Sequence, residues 1–132
     1  MGRDNTRQMS SEARIEHLLE LQDYQCAWCG YDLTKPNARP TRDHVVPKIK
    51  GGPTRLENEV ASCGSCNRQR GHRSPSQFIE SSRDERGLEP KAGLVADQLD
   101  ALAAAIQREG GMRKIRDYVT REAKRVRELA GD

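Results

Sequence analysis

Apolar residues recur at helical spacing between Ser11 and Asp23, where Ile15, Leu18 and Leu19, extended by Gln22, share one face. Glu12, Glu16 and Glu20 lie on or near the other face, and Ser10 or Ser11 can cap the start. His17 falls off the stripe and reads as solvent-exposed. From Tyr24 to Pro40 the periodicity gives way to Gly30, Pro36, Asn37 and Pro40, a turn-rich connection. Thr41 to Val46 reads as a short strand stopped by Pro47, and Glu59 to Ser62 as a second. Gly51, Gly52 and Pro53 make the intervening residues a loop. Cys66 to Arg70 begins a short helix closed by Gly71, and Ser74-Pro75-Ser76 opens another through Phe78 and Ile79.

Beyond this point the pattern changes. Residues 81–93 are charged and carry Gly87, Pro90 and Gly93, the signature of a linker. Leu94, Val95, Leu99, Leu102 and Ile106 form one helical stripe; Met112, Ile115, Val119, Val126 and Leu129 form a second after the Gly110-Gly111 break. The prediction is a helical hairpin. Its apolar face needs a cover: the N-terminal part of the chain, a second copy in a homodimer, or a protein partner bound through residues 94–129.

Composition sharpens this picture. Only 34% of the 132 residues are hydrophobic and 33% are charged, with one Trp, three Tyr and one Phe, so a large apolar core is excluded. The longest apolar run, Ala101 to Ile106, is far too short for a membrane span, and polar Met1 to Ser10 offers no signal peptide. The expectation is a soluble cytoplasmic protein without a membrane partner. The net charge of +3 is unevenly spread: residues 35–73 carry +6 between flanks of −3 on either side, and 111–132 carry +3. The central basic block suggests an anionic partner, although a mixed solvated surface gives the same count.

Cys26-Ala-Trp-Cys29 and Cys63-Gly-Ser-Cys66 are two C-x-x-C pairs. Four thiolates satisfy tetrahedral zinc at about 2.3 Å, whereas disulfides suit an oxidising compartment. Zinc on Cys26, Cys29, Cys63 and Cys66 is the expectation, and on the order of 10 kcal/mol of metal binding would offset the thin core. Between the pairs stand Asp43-His44-Val45-Val46-Pro47, Gly51-Gly52 and Asn58, with Asn67 just after the last cysteine. Asp43 offers a carboxylate to a hard divalent cation such as magnesium, and the Asn67 amide oxygen could complete the protein's share. His44, with an ordinary pKa near 6.5, can deprotonate a water.

These motifs, with Arg68-x-x-Gly71-x-Arg73-x-Pro75, resemble the HNH (ββα-metal) endonucleases, in the zinc-stapled four-cysteine form common in bacteria and phages. The resemblance runs from about Tyr24 to Pro75 and implies an α+β fold. A ββα-metal core would carry an N-terminal helix and a C-terminal helical hairpin, divided as 1–23, 24–80, 81–93 and 94–132. By position, His44 would be the general base, with Asn58 fixing its orientation and the loop. Asp43 and Asn67 would hold a catalytic magnesium or manganese. The departure is Asn67, where the family name has its last H; the harder amide oxygen favours magnesium or manganese over zinc. His72 is a substitute ligand or phosphate contact in a second reading.

The implied reaction is hydrolysis of double-stranded DNA to a 5′ phosphate and a 3′ hydroxyl, one strand per site, so a monomer nicks. Arg42, Lys48, Lys50, Arg55, Arg68, Arg70 and Arg73 would grip phosphates. The basic residues of the last helix would add grip or simply face water. The competing reading is a zinc-stapled nucleic-acid-binding module without catalysis; an RNA-directed nuclease is a third. One difficulty is internal: neighbouring strand residues point to opposite faces, so Asp43 and His44 cannot both face a metal from a regular strand.

Overall fold

A computed structural model describes residues 9–131; the polar segment Met1 to Gln8 lies outside them. Helix α1 (Ser11–Leu21) starts at Ser10, whose side chain accepts the Ala13 N–H at 3.0 Å. Strands β1 (Thr41–His44) and β2 (Glu59–Ser62) pair antiparallel, with Asp43 opposite Val60 and His44 opposite Glu59. Helix α2 (Gly64–Arg70) follows β2 directly and packs on β1, completing a ββα unit. The Cys63 thiol caps α2 by accepting the Cys66 N–H at 3.4 Å. The strand predicted to reach Val46 ends at His44, and the helix predicted from Cys66 starts two residues earlier, at Gly64.

Helix α3 (Pro75–Asp84) has Pro75 in its first turn and a capping box in which Ser74 and Gln77 bond each other's backbone. It runs five residues past Ile79, into the segment predicted as linker. The rest of that segment is tied down: the Lys91 N–H donates to the Ala27 carbonyl at 2.8 Å, and Lys91 Nζ bonds Gln25 Oε1 at 2.6 Å. The linker expectation is therefore corrected. Asp84, Glu85 and Glu89 face solvent, Arg83, Arg86 and Lys91 turn back onto the chain, and the backbone closes on the first cysteine knuckle.

Helices α4 (Ala92–Glu109) and α5 (Arg113–Leu129) form the predicted hairpin. Positive-φ Gly110 and Gly111 turn the chain between them. The apolar face is covered by the chain itself. α4 packs on β2 and on the 56–58 turn, α5 packs on α3, and one buried cluster runs from Leu18 through Trp28, Val60 and Phe78 to Val126. The large apolar residues exposed among the described residues are Leu21, Tyr31 and Ile49, none of them on the hairpin. No helix there is long and apolar enough to cross a membrane.

Polar side chains do much of the internal joining. Gln22, 2% exposed, donates to the Gln25 and Ala61 carbonyls and accepts the Ala61 N–H at 2.7 Å, tying α1 to β2. Glu122 of α5 accepts the Ser76 N–H at 2.8 Å and its hydroxyl at 2.9 Å, anchoring α5 on the first turn of α3. A carboxylate there satisfies amide donors that the helix cannot satisfy itself.

Candidate metal centres and catalytic cleft

Each cysteine pair sits in a tight turn, and the two turns face each other. The four Sγ atoms lie within 4.8 Å of one another, with Cys29 and Cys63 at 3.9 Å. A tetrahedral zinc with bonds near 2.3 Å separates its sulfurs by about 3.8 Å, so the donor set and spacing suit a structural zinc. Cys26 is held well below the ordinary thiol range, first by its neighbours Cys29 and Cys66. The Cys63 and Trp28 N–H groups, at 3.3 and 3.4 Å, add to this. Among the described residues it is the one group of three or more His, Cys, Asp or Glu ligand atoms so gathered.

Asp43 is tied to this cluster through Trp28. The indole of Trp28, fully buried between Cys26 and Cys29, donates Nε1–H to Asp43 Oδ2 at 2.8 Å. Arg70 Nη1 reaches the same oxygen at 2.9 Å and also the His44 carbonyl; Arg70 Nη2 donates to the Val45 carbonyl at 2.7 Å. The guanidinium also lies 4.6 Å over the Trp28 ring. One carboxylate oxygen is thus fixed twice. Asp43 still lines an open cleft of about 160 Å³, shared with His44, Lys48, Arg70 and His72.

His44 is the last residue of β1, and the cleft lies at this strand end, where Asp43 and His44 both line it. His44 Nε2 lies 2.9 Å from Thr54 Oγ1. Burial lowers the His44 pKa, with Lys48 and Arg42 adding to it and Glu59 and Asp43 opposing, which favours the neutral ring. Asn58, fully buried, accepts the Val46 N–H at 2.8 Å and donates to the Val46 and Pro53 carbonyls. Its amide therefore pins both ends of the loop after His44. A Cβ at Gly52 would lie 1.8 Å from the Val46 oxygen, so that glycine is required for the loop to close.

Asn67 is brought to the same side of the hairpin as Asp43, with Nδ2 on Thr41 Oγ1, but it does not line the 160 Å³ cleft; His72 does. The expected phosphate contacts divide. Lys48, Lys50, Arg68 and Arg73 are exposed. Arg70 is 2% exposed and engaged as described, so it belongs to the cleft's framework. Arg55, 4% exposed, pairs with Glu57 and Glu109, and Arg42 pairs with Glu59 at 2.9 Å. Glu59, fully buried, also receives Arg14. The sequence reading missed Trp28 and Thr54. A signal existed for the first, since a buried indole N–H needs an acceptor and Trp28 sits inside a zinc knuckle; none existed for Thr54.

Residues 26–82 match the family model described as HNH endonuclease. Over this segment, less than half of the chain, the protein is similar to HNH endonucleases. The ββα unit, the cysteine cluster and the Asp43–His44 cleft all fall within the matched segment. The crystal structure of the Type II-C Cas9 enzyme from Actinomyces naeslundii is similar over 100% of this chain, with a TM-score of 0.52 and 20% identity. The chain spans 12% of the length of that enzyme, and at this identity the likeness speaks for the fold. No curated protein matches this chain.

Proposed function

We propose that the chain is a divalent-metal-dependent DNA endonuclease that nicks one strand per site as a monomer. The observation that carries this reading is Asp43, whose Oδ2 is held by Trp28 and Arg70 while the side chain opens onto the cleft of His44. The donor set suits magnesium or manganese: one fixed carboxylate, the Asn67 amide nearby, and space for water and phosphate oxygens. Bound there, such an ion would supply Lewis-acid stabilisation of charge on the phosphate and the leaving oxygen.

The protein's own groups do the rest. In the tautomer whose Nε2–H donates to Thr54 Oγ1, Nδ1 is the ring nitrogen that accepts a proton from the attacking water. Asn58 keeps the loop after His44 from drifting, which preserves that orientation. Lys48 at the cleft, with Lys50 and Arg73 exposed, would hold backbone phosphates of double-stranded DNA with little sequence preference.

The test is nicking of supercoiled plasmid by zinc-loaded protein with magnesium or manganese. Open-circular product that vanishes in His44→Ala and in excess chelator is expected. Cleavage no greater than that of His44→Ala would overturn the enzyme reading and leave a zinc-stapled DNA-binding module.

A further inference from the structure

A second and larger opening, about 550 Å³, lies beside the cysteine cluster and falls in the size range of small-ligand clefts. Helix α2 divides it from the catalytic cleft: Arg70 lines one and Arg68 the other. Residues two apart on a helix point about 200° apart, so the two openings flank the same helix. Asn67 and Arg68 are consecutive, which sets the second cavity immediately beside the cleft's own surroundings.

Its lining has a definite chemistry. Arg39, Arg68 and Arg86 reach it, Cys29 and Cys63 of the cysteine cluster form part of its wall, and no carboxylate side chain lines it. Among the described residues Arg39 and Arg68 are exposed and make no ion pair. Arg86 is anchored, with both Nη atoms 3.5 Å from Cys66 Sγ and its guanidinium 5.7 Å over the Phe78 ring. Both side chains border Gly64: a Cβ there would meet Arg68 Nη1 at 3.4 Å and Arg39 Cβ at 3.5 Å, ordinary contact distances. Tyr31, 44% exposed, stands at the rim with the Asn37 amide. Free guanidiniums suit a phosphodiester, and an exposed ring beside them suits the base attached to it. An acidic peptide would use the first feature and leave the second idle.

We propose that this cavity binds one unpaired nucleotide of the strand flanking the scissile phosphate, with Arg39 and Arg68 on its phosphate and Tyr31 stacked on its base. This rests on the nuclease reading and adds a preference for substrate with a single-stranded segment next to the cut.

The test uses the full zinc-loaded chain carrying His44→Ala, with fluorescein-labelled single-stranded and blunt duplex oligonucleotides, and reads anisotropy across a salt series. Arg39→Asn suits the positive φ of 51° at that position, and Arg68→Gln keeps a polar exposed side chain. Together they should weaken single-strand binding at least about 10-fold and flatten the salt slope by about 1.4, two contacts' worth. Tyr31→Leu should cost about 5-fold or more with the slope unchanged. Zinc content of each variant reports folding.

Unchanged single-strand affinity in the double variant, or an equal loss for blunt duplex, would overturn the subsite. Plasmid nicking by the parent chain, run alongside, separates the two readings. His44-dependent nicking with no binding loss defeats the subsite alone. Binding loss without nicking defeats the enzyme and leaves the cavity as a nucleotide-binding site.

Discussion

Trp28 joins the cysteine cluster to the Asp43 cleft, and Trp28→Phe isolates that joint. Phe keeps an aromatic ring near Arg70 and near Phe78, whose centroid is 5.3 Å away, but deletes the donor to Asp43 Oδ2 at 2.8 Å. A hydrogen bond to a charged acceptor contributes about 1.5–3 kcal/mol. Because Arg70 Nη1 still serves that oxygen, the lower half of this range applies. Losing part of a fully buried bicycle adds about 1 kcal/mol for the void. The expected cost is about 2.5–3 kcal/mol, a fall in Tm of roughly 8–12 °C for a chain this size.

The assay combines thermal unfolding by circular dichroism, zinc stoichiometry by native mass spectrometry, and manganese titration. Zinc should stay at one equivalent because all four cysteines remain. Manganese affinity should drop about 5–10-fold, since a carboxylate freed from one of its two clamps must be reordered on binding. In the parent protein Trp28 is the sole tryptophan, so paramagnetic manganese at Asp43 should quench its fluorescence, and Asp43→Asn should abolish that quenching. A variant melting within about 2 °C of the parent, with unchanged manganese affinity, would refute the reasoning. Loss of zinc would refute it too, by making the effect one of the knuckle rather than of the hydrogen bond.

Two further outcomes are expected. Glu122→Gln leaves a Ser76 donor without a full acceptor and should cost about 1–3 kcal/mol, with faster amide exchange in the first turn of α3 and unaltered plasmid nicking per folded molecule; unchanged exchange would show that Glu122 does not anchor α5. Zinc removal by a strong chelator should unfold the 26–66 segment and red-shift Trp28 emission. Acidification should do the same, because thiolates whose pKa is depressed by the metal stabilise the fold at high pH and lose that contribution as they protonate; a blue-shifted, folded apoprotein would sink the staple.

The sequence by itself determined whatever depends on local chemistry. The C-x-x-C spacing specifies a four-sulfur site, Ser74-Pro75 and Gly71 punctuate helices by their own backbone preferences, and Asp43-His44 with Asn58 and Asn67 carries the HNH pattern within one stretch of chain. β2 spans the predicted residues because its flanking signals are short-range.

Long side chains were decided elsewhere. Arg70, Arg55 and Arg42 read as phosphate contacts in a basic block, yet each meets partners brought in by the fold: Trp28 and Asp43, Glu109, and Glu59. A guanidinium on a flexible stem goes to whatever acceptors packing places within reach, and those acceptors lie as far as 54 residues away in sequence. The cover of the α4–α5 stripe was likewise a tertiary matter. An apolar face is visible in a sequence, but what buries it depends on which surfaces the rest of the chain leaves free.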